Sequence, residues 1–116
     1  MDEELLVYIA NELQLLVEEE MAAEEENPEI LLVEGWVRVF DSEHYANVMD
    51  LGEKAMKPLY CIIYESSSEG LYEYICATAL YELSGYDFTN DDGSLKWVSS
   101  KELLALFNQE IIAERG

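Results

Sequence analysis

Apolar residues recur at helical spacing in two neighbouring arms that span residues 52–85 at the centre of the chain. Leu51, immediately before the first arm, is followed within it by Ala55, Leu59, Ile62 and Ile63, and the second arm carries Leu71, Ile75, Cys76, Ala79, Leu80 and Leu83. Recurrence at every third and fourth position is typical of one face of an α-helix. The pattern therefore predicts a core αα-hairpin, both arms of which must be covered by the rest of the chain.

The residues at the ends of this hairpin are typical helix boundaries. The turn Ser66-Ser67-Ser68-Glu69-Gly70 predicts a serine N-cap and an early acid for the second arm. Gly85 follows the last apolar position, where a left-handed residue often ends a helix. Pro58 lacks a backbone N–H, so the first arm is predicted to bend or begin near Met56.

Further helices are predicted on both sides of the hairpin. Residues 1–26 form an acidic amphipathic helix whose apolar stripe is Leu5, Ile9, Leu13, Leu16 and Val17. Asn27-Pro28 predicts the start of a second helix that continues to Phe40, and Asp41-Ser42 predicts the cap of a third. The capping box Ser99–Glu102 opens a closing helix over residues 99–113. The sequence thus predicts one all-α domain over residues 1–116, a compact bundle of about five helices.

The hairpin also resembles a known helical repeat. The Ala-x-x-Pro-Leu of the first arm, the small Ala77 and Ala79 of the second, and the terminal Leu-x-Gly are similar to a HEAT-type αα repeat. The resemblance covers about one repeat. It implies a HEAT-like bundle in which the second helix of the repeat lines a concave face turned toward a partner.

The net charge of the chain indicates which classes of partner it can bind. The chain has 26 acidic and six basic residues, for a formal net charge of -20, and every charged residue before Arg38 is acidic. Proteins bind nucleic acid by neutralising its phosphates with Lys and Arg, so direct binding of DNA or RNA is not expected. A surface this acidic either keeps a protein soluble or steers it toward a basic protein partner.

The sequence contains no recognisable catalytic signature. His44 is the only histidine, and Cys61 and Cys76 lie among apolar residues outside any Cys/His motif, so both are predicted to be buried thiols. In the loop after Gly85, an EF-hand register with Gly93 sixth places Phe88 and Ser99 at key ligand positions. We therefore expect an Asp-Gly turn, with Phe88 and Trp97 holding the loop on the core, and no metal, cofactor or enzymatic activity.

The sequence also indicates where the protein is located and whether it contacts a membrane. The N-terminal residues Met1-Asp2-Glu3-Glu4 are acidic where an export signal is basic, and no apolar run reaches the roughly 20 residues that span a bilayer. We expect a cytoplasmic protein that makes no membrane contact.

A partner-binding surface is predicted from tyrosine and carboxylate residues. Tyr74, Thr78 and Tyr81 follow helical spacing in the second arm beside Glu73, and tyrosine is enriched at interface hot spots. The full predicted set is Glu73, Tyr74, Tyr81, Asp87, Asp91, Asp92, Glu24, Glu25 and Glu26. The competing interpretation is that the tyrosine rings pack in the core and that the glutamate run is a solvated helix face.

These features favour a small acidic protein that binds and neutralises a basic protein, as bacterial immunity proteins do for nuclease toxins. Several immunity proteins look like compact HEAT-like helical domains, and this chain resembles that type of protein. One alternative is a nucleic-acid mimic that occupies the DNA site of a regulatory or restriction protein. Another is a HEAT-like adaptor or scaffold whose charge serves only solubility.

Overall fold

The computed structural model describes residues 3–29, 37–68 and 70–115. Within these residues the chain is helical and forms no β-strand beyond an isolated bridge between Thr89 and Leu95. The α-helices are α1 (Glu3–Glu26), α2 (Glu43–Met49), α3 (Met56–Glu65), α4 (Leu71–Ser84) and α5 (Ser100–Arg115), with 3-10 helices at Val37–Asp41 and Gly52–Ala55. The prediction of an all-α bundle of about five helices is confirmed.

The predicted hairpin lies at the centre of the fold. Helices α3 and α4 pack against each other, α1 crosses α2, α3 and α4, and α5 contacts both arms of the hairpin. The fully buried residues include Ile9 and Leu13 of α1, Leu59 and Ile63 of α3, Ile75 and Cys76 of α4, and Leu103 of α5. One apolar cluster therefore joins the N-terminal helix, the hairpin and the closing helix.

Most helix ends follow the sequence signals. Ser42 Oγ accepts the His44 backbone N–H at 3.2 Å at the start of α2. Gly85 ends α4 at φ 75°, a left-handed backbone that favours glycine. At the start of α5, Ser99 and Glu102 exchange two hydrogen bonds of 3.2 Å, each from the backbone N–H of one to the side chain of the other. This is the predicted capping box.

The start of α4 differs from the prediction. Its N-cap is Gly70 and not a serine of the preceding turn. Because glycine has no side chain, only half of a capping box forms: the Gly70 N–H donates to Glu73 Oε1 at 2.8 Å. Ser66 contributes indirectly, since its Oγ donates to the other Glu73 oxygen at 3.0 Å.

Helix α3 begins at Met56, and Pro58 lies in its first turn, where a missing N–H removes no helical hydrogen bond. Its carboxyl end has no basic residue of its own. Lys101 of α5 supplies that charge, because its Nζ donates to the backbone carbonyls of Ile63 and Tyr64. This contact ties the closing helix to the hairpin and places a cation at the negative end of a helix.

The segment between α1 and α2 departs from the predicted second helix where it is described. Residues 27–29 lie in a turn, and Val37–Asp41 is a 3-10 helix in place of the end of an α-helix. The remainder of that predicted helix, residues 30–36, lies outside the described residues.

His44 connects α2 to α1. Its Nδ1 lies 2.7 Å from Glu12 Oε2, and its Nε2 lies 2.9 Å from Glu19 Oε1. The hydrogen bond to Glu12, reinforced by the charges of the neighbouring glutamates, raises the pKa of His44 above its ordinary value. A protonated imidazole donates from both nitrogens, so His44 can bond two carboxylates one above the other on α1. The sequence shows His44 only as the single histidine of the chain.

Candidate partner-binding surface

The carboxyl-terminal end of α1 is strongly acidic. Glu24 is half-buried there, while Glu25 and Glu26 are exposed, and the last turn contains no basic residue. A helix C-terminus carries a partial negative charge from its last carbonyl groups, so the glutamates and the helix dipole have the same sign. This end of α1 therefore attracts cations.

An apolar groove lies beside this acidic end. It has a volume of about 600 Å³ and runs between the last turns of α1 and the first turn of α4. Its lining is Val17, Met21, Glu24 and Glu25 from α1, and Gly70, Leu71, Tyr72 and Glu73 from the start of α4. We call this feature the α1/α4 groove.

Two residues give the groove its character. Met21 is 63% exposed, which is high for a large apolar side chain, and its flexible thioether can adapt to different contacts. Burial, together with nearby negative charge, raises the pKa of Tyr72 to about 12, so its hydroxyl stays protonated well into the alkaline range. The groove thus combines apolar surface with a neutral phenol under an acidic edge.

Glu73 requires a correction. It was predicted to contact a partner, but it is only 8% exposed, and both of its carboxylate oxygens bond to Ser66 and Gly70 within the protein. Its role in this structure is to cap α4. It adds fixed negative charge beneath the groove, and its oxygens are not presented for contact.

The predicted tyrosine stripe belongs mainly to an aromatic cluster. The ring of Tyr81 stacks on Phe88 with centroids 5.7 Å apart and meets Trp97 edge-on at 5.8 Å. The Tyr81 hydroxyl also accepts the Phe88 backbone N–H at 3.0 Å. Tyr74 contacts both Phe40 and Trp97 at 6.2 Å. Both tyrosines are half-buried, as the competing core interpretation expected.

Phe88 and Trp97 are buried and hold the loop after α4 on the core, as predicted. At its tip, Gly93 has φ 89° and its N–H donates to the Asn90 carbonyl, which forms the expected Asp-Gly turn. Ser94 donates to Asp92 from both its hydroxyl and its backbone N–H, and these bonds lower the pKa of the Asp92 carboxyl. Asp87 and Asp91 are exposed beside it.

The acidic residues of the predicted site therefore fall into two groups, while Tyr74 and Tyr81 belong to the aromatic cluster. Glu24 and Glu25 share the α1/α4 groove with Glu73 at the beginning of α4, whereas Asp87, Asp91 and Asp92 follow its end. Helix α4 has 14 residues. At a rise of about 1.5 Å per residue, the two groups are separated by roughly 20 Å. The first group borders a groove, and the second lies on a turn.

In the described part of the chain, the thiols and the remaining acids form no metal cluster. Among residues 3–29, 37–68 and 70–115, no three His, Cys, Asp or Glu side chains are grouped so that they could hold a metal ion. Cys76 is buried, and this burial raises the pKa of its thiol. Cys61 is only half-buried, so the prediction of two buried thiols is wrong for this residue. No helix in the described part of the chain is long and apolar enough to cross a membrane.

The α1/α4 groove was not predicted from the sequence. Val17 was assigned to the core stripe of α1, and Leu71 to that of α4, but neither was predicted to line a cavity. One signal was present: Met21 is an apolar residue within a run of glutamates, four residues after Val17 at the edge of the stripe. The position of Tyr72 beside it depends on how α1 crosses α4, which helical periodicity does not contain.

No family model, curated protein or solved structure matches this chain.

Proposed function

We propose that this protein binds a basic protein through the acidic end of α1, and that it acts as an immunity protein that neutralises a basic toxin such as a nuclease. The observation that carries the proposal is the placement of Glu24, Glu25 and Glu26 at the negative end of a 24-residue helix. The last turn of α1 contains no basic residue.

Complementary charge supports this function through the rate of capture. Clustered carboxylates on a protein of net charge -20 raise the rate at which a basic partner arrives, because electrostatic steering acts before contact. A cytoplasmic location and a binding rather than catalytic role belong to the same proposal.

The test uses the gene next to the one for this protein. We expect the adjacent upstream gene to encode a large secreted protein with a basic toxic domain. Expression of that domain alone should arrest growth, and coexpression of this protein should restore it and yield a one-to-one complex. A neighbouring toxic domain that is neither bound nor neutralised would contradict the proposal.

A competition assay separates the immunity function from the nucleic-acid mimic. A mimic occupies the DNA site of its target, so duplex DNA should displace it from the complex in proportion to the DNA concentration. An immunity protein that contacts the toxin outside the DNA site should remain bound. Displacement by DNA, with a regulatory protein as the target, would favour the mimic.

A further inference from the structure

The α1/α4 groove is apolar inside and acidic at its edge, and this combination selects a particular kind of ligand. Met21 lies four residues after Val17, and Glu24 and Glu25 lie three and four residues after Met21. These side chains therefore follow one face of α1. Leu71 and Tyr72 form the opposite wall. An apolar side chain entering between these walls would lie next to carboxylates.

The electrostatics of both walls have the same sign. Glu24 and Glu25 lie at the carboxyl end of α1, where the helix dipole is also negative. The opposite wall is the amino end of α4, whose positive dipole is offset by the Glu73 carboxylate bound to Gly70. A cationic side chain is therefore favoured at either wall, and an anionic one is disfavoured.

We propose that the α1/α4 groove binds an amphipathic basic helix of the partner, with a bulky apolar side chain inserted beside Met21 and flanking Lys or Arg residues on Glu24 and Glu25. This inference rests on the proposed function and names the segment of the partner that is recognised. The volume of about 600 Å³ accommodates one or two large side chains. Apolar grooves that receive a helix in this way are a recurrent mode of peptide recognition.

The first experiment uses a synthetic probe and the full chain. A fluorescein-labelled peptide of about 16 residues contains Leu at helical i, i+3, i+4 and i+7 spacing and Lys elsewhere. The control peptide keeps every Lys and replaces each Leu by Gln. Fluorescence anisotropy at ~0.15 M salt should show binding of the Leu peptide about tenfold tighter than the Gln peptide, because only the first buries apolar surface.

Variants of exposed residues place the binding in the groove. Met21→Gln should abolish the preference for the Leu peptide, whereas Leu15→Gln, on the same helix and 45% exposed but outside the groove, should preserve it. Glu25→Gln should weaken both peptides by about two- to threefold, and Glu3→Gln, at the other end of α1, should change neither. Thermal melts confirm that each variant is folded.

Several outcomes would overturn the inference. Equal affinity for the two peptides would mean that charge alone is recognised. A Met21→Gln variant that keeps the preference would place the apolar contact elsewhere. Sedimentation of the parent as a dimer and of Met21→Gln as a monomer would show that a second copy of this chain occupies the groove.

The same variants separate this inference from the proposed function. A toxic domain that is neutralised equally well by the parent and by Met21→Gln would leave the proposed function standing and refute the groove as its docking site. Peptide binding that requires Met21, combined with a failure to neutralise the toxic domain, would refute the proposed function and leave the groove as a site for basic helices.

Discussion

Truncation of the Tyr81 side chain should mainly lower the free energy of unfolding, rather than weaken the binding of a partner. The ring contacts Phe88 and Trp97 with centroid distances of 5.7 and 5.8 Å, and it is half-buried on α4. Its hydroxyl accepts the backbone N–H of Phe88 at 3.0 Å, which fixes the loop that follows the helix. Tyr81 therefore holds the loop after α4 against the hairpin.

The expected loss in the free energy of unfolding divides between the hydroxyl and the ring of Tyr81. Tyr81→Phe keeps the ring and removes the acceptor of a backbone N–H, which should lower the free energy of unfolding by about 1–2 kcal/mol. Tyr81→Ala also removes the ring from the aromatic cluster, and the expected loss is about 3 kcal/mol or more. For a domain of this size, the second loss corresponds to a melting temperature lower by roughly 10 °C or more.

Urea denaturation followed by tryptophan fluorescence measures both losses. Tyr64→Ala is the matched control, because Tyr64 is 68% exposed and should contribute within about 0.5 kcal/mol. A Tyr81→Ala variant as stable as the parent would refute the assignment of this ring to the core. It would also restore the interpretation of Tyr81 as an interface anchor.

Three further predictions concern charge, thiols and the helix end. His44 and Glu12 should show a coupling free energy of about 1 kcal/mol in a double-mutant cycle with Gln at about pH 6. The pKa of His44 is raised and that of Glu12 is lowered, so the coupling should fall as pH rises through the His44 pKa or drops through the Glu12 pKa. If the full coupling persisted at about pH 9, the predicted dependence on a protonated His44 would be contradicted. In the native protein, a maleimide should label Cys61 well before Cys76, and equal rates would show that α3 packs differently from the structure. Gly85→Ala should cost about 1 kcal/mol in a thermal melt because Gly85 has φ 75°, and an unchanged melting temperature would argue against the left-handed end of α4.

The sequence predicted the parts of the fold that depend on local pattern. The stripe through Ile9, Leu13 and Leu16 is buried because helical periodicity alone defines which face of α1 is apolar. The start of α5 and the end of α4 were predicted because the Ser99–Glu102 box and Gly85 act through neighbouring backbone. Each of these predictions needs only a few consecutive residues.

The predictions that failed depend on how the chain folds back on itself, which helical periodicity does not show. Glu73 looks like an exposed helix acid in sequence, and its burial results from the turn at Ser66 and Gly70 folding back onto it. His44 bonds to Glu12 across 32 positions of sequence, a pairing that no local motif contains. Periodicity finds the apolar face of a helix and does not show which second helix leaves a groove beside it.

The central claim is that the acidic end of α1, with the groove beside it, is the surface that captures a basic partner. Two variants with the same net charge test it: Glu24, Glu25 and Glu26 replaced together by Gln, and the exposed Glu3, Glu53 and Glu65 replaced in the same way. Stopped-flow association with the inactivated product of the adjacent gene gives the on-rate of each variant over a range of salt concentration.

Local steering predicts that the first variant loses several-fold in on-rate at low salt, that the second stays within about twofold of the parent, and that the difference shrinks above ~0.1 M salt. Equal on-rates for the two variants would show that only the total charge of the protein matters and would contradict the assignment of the surface to α1.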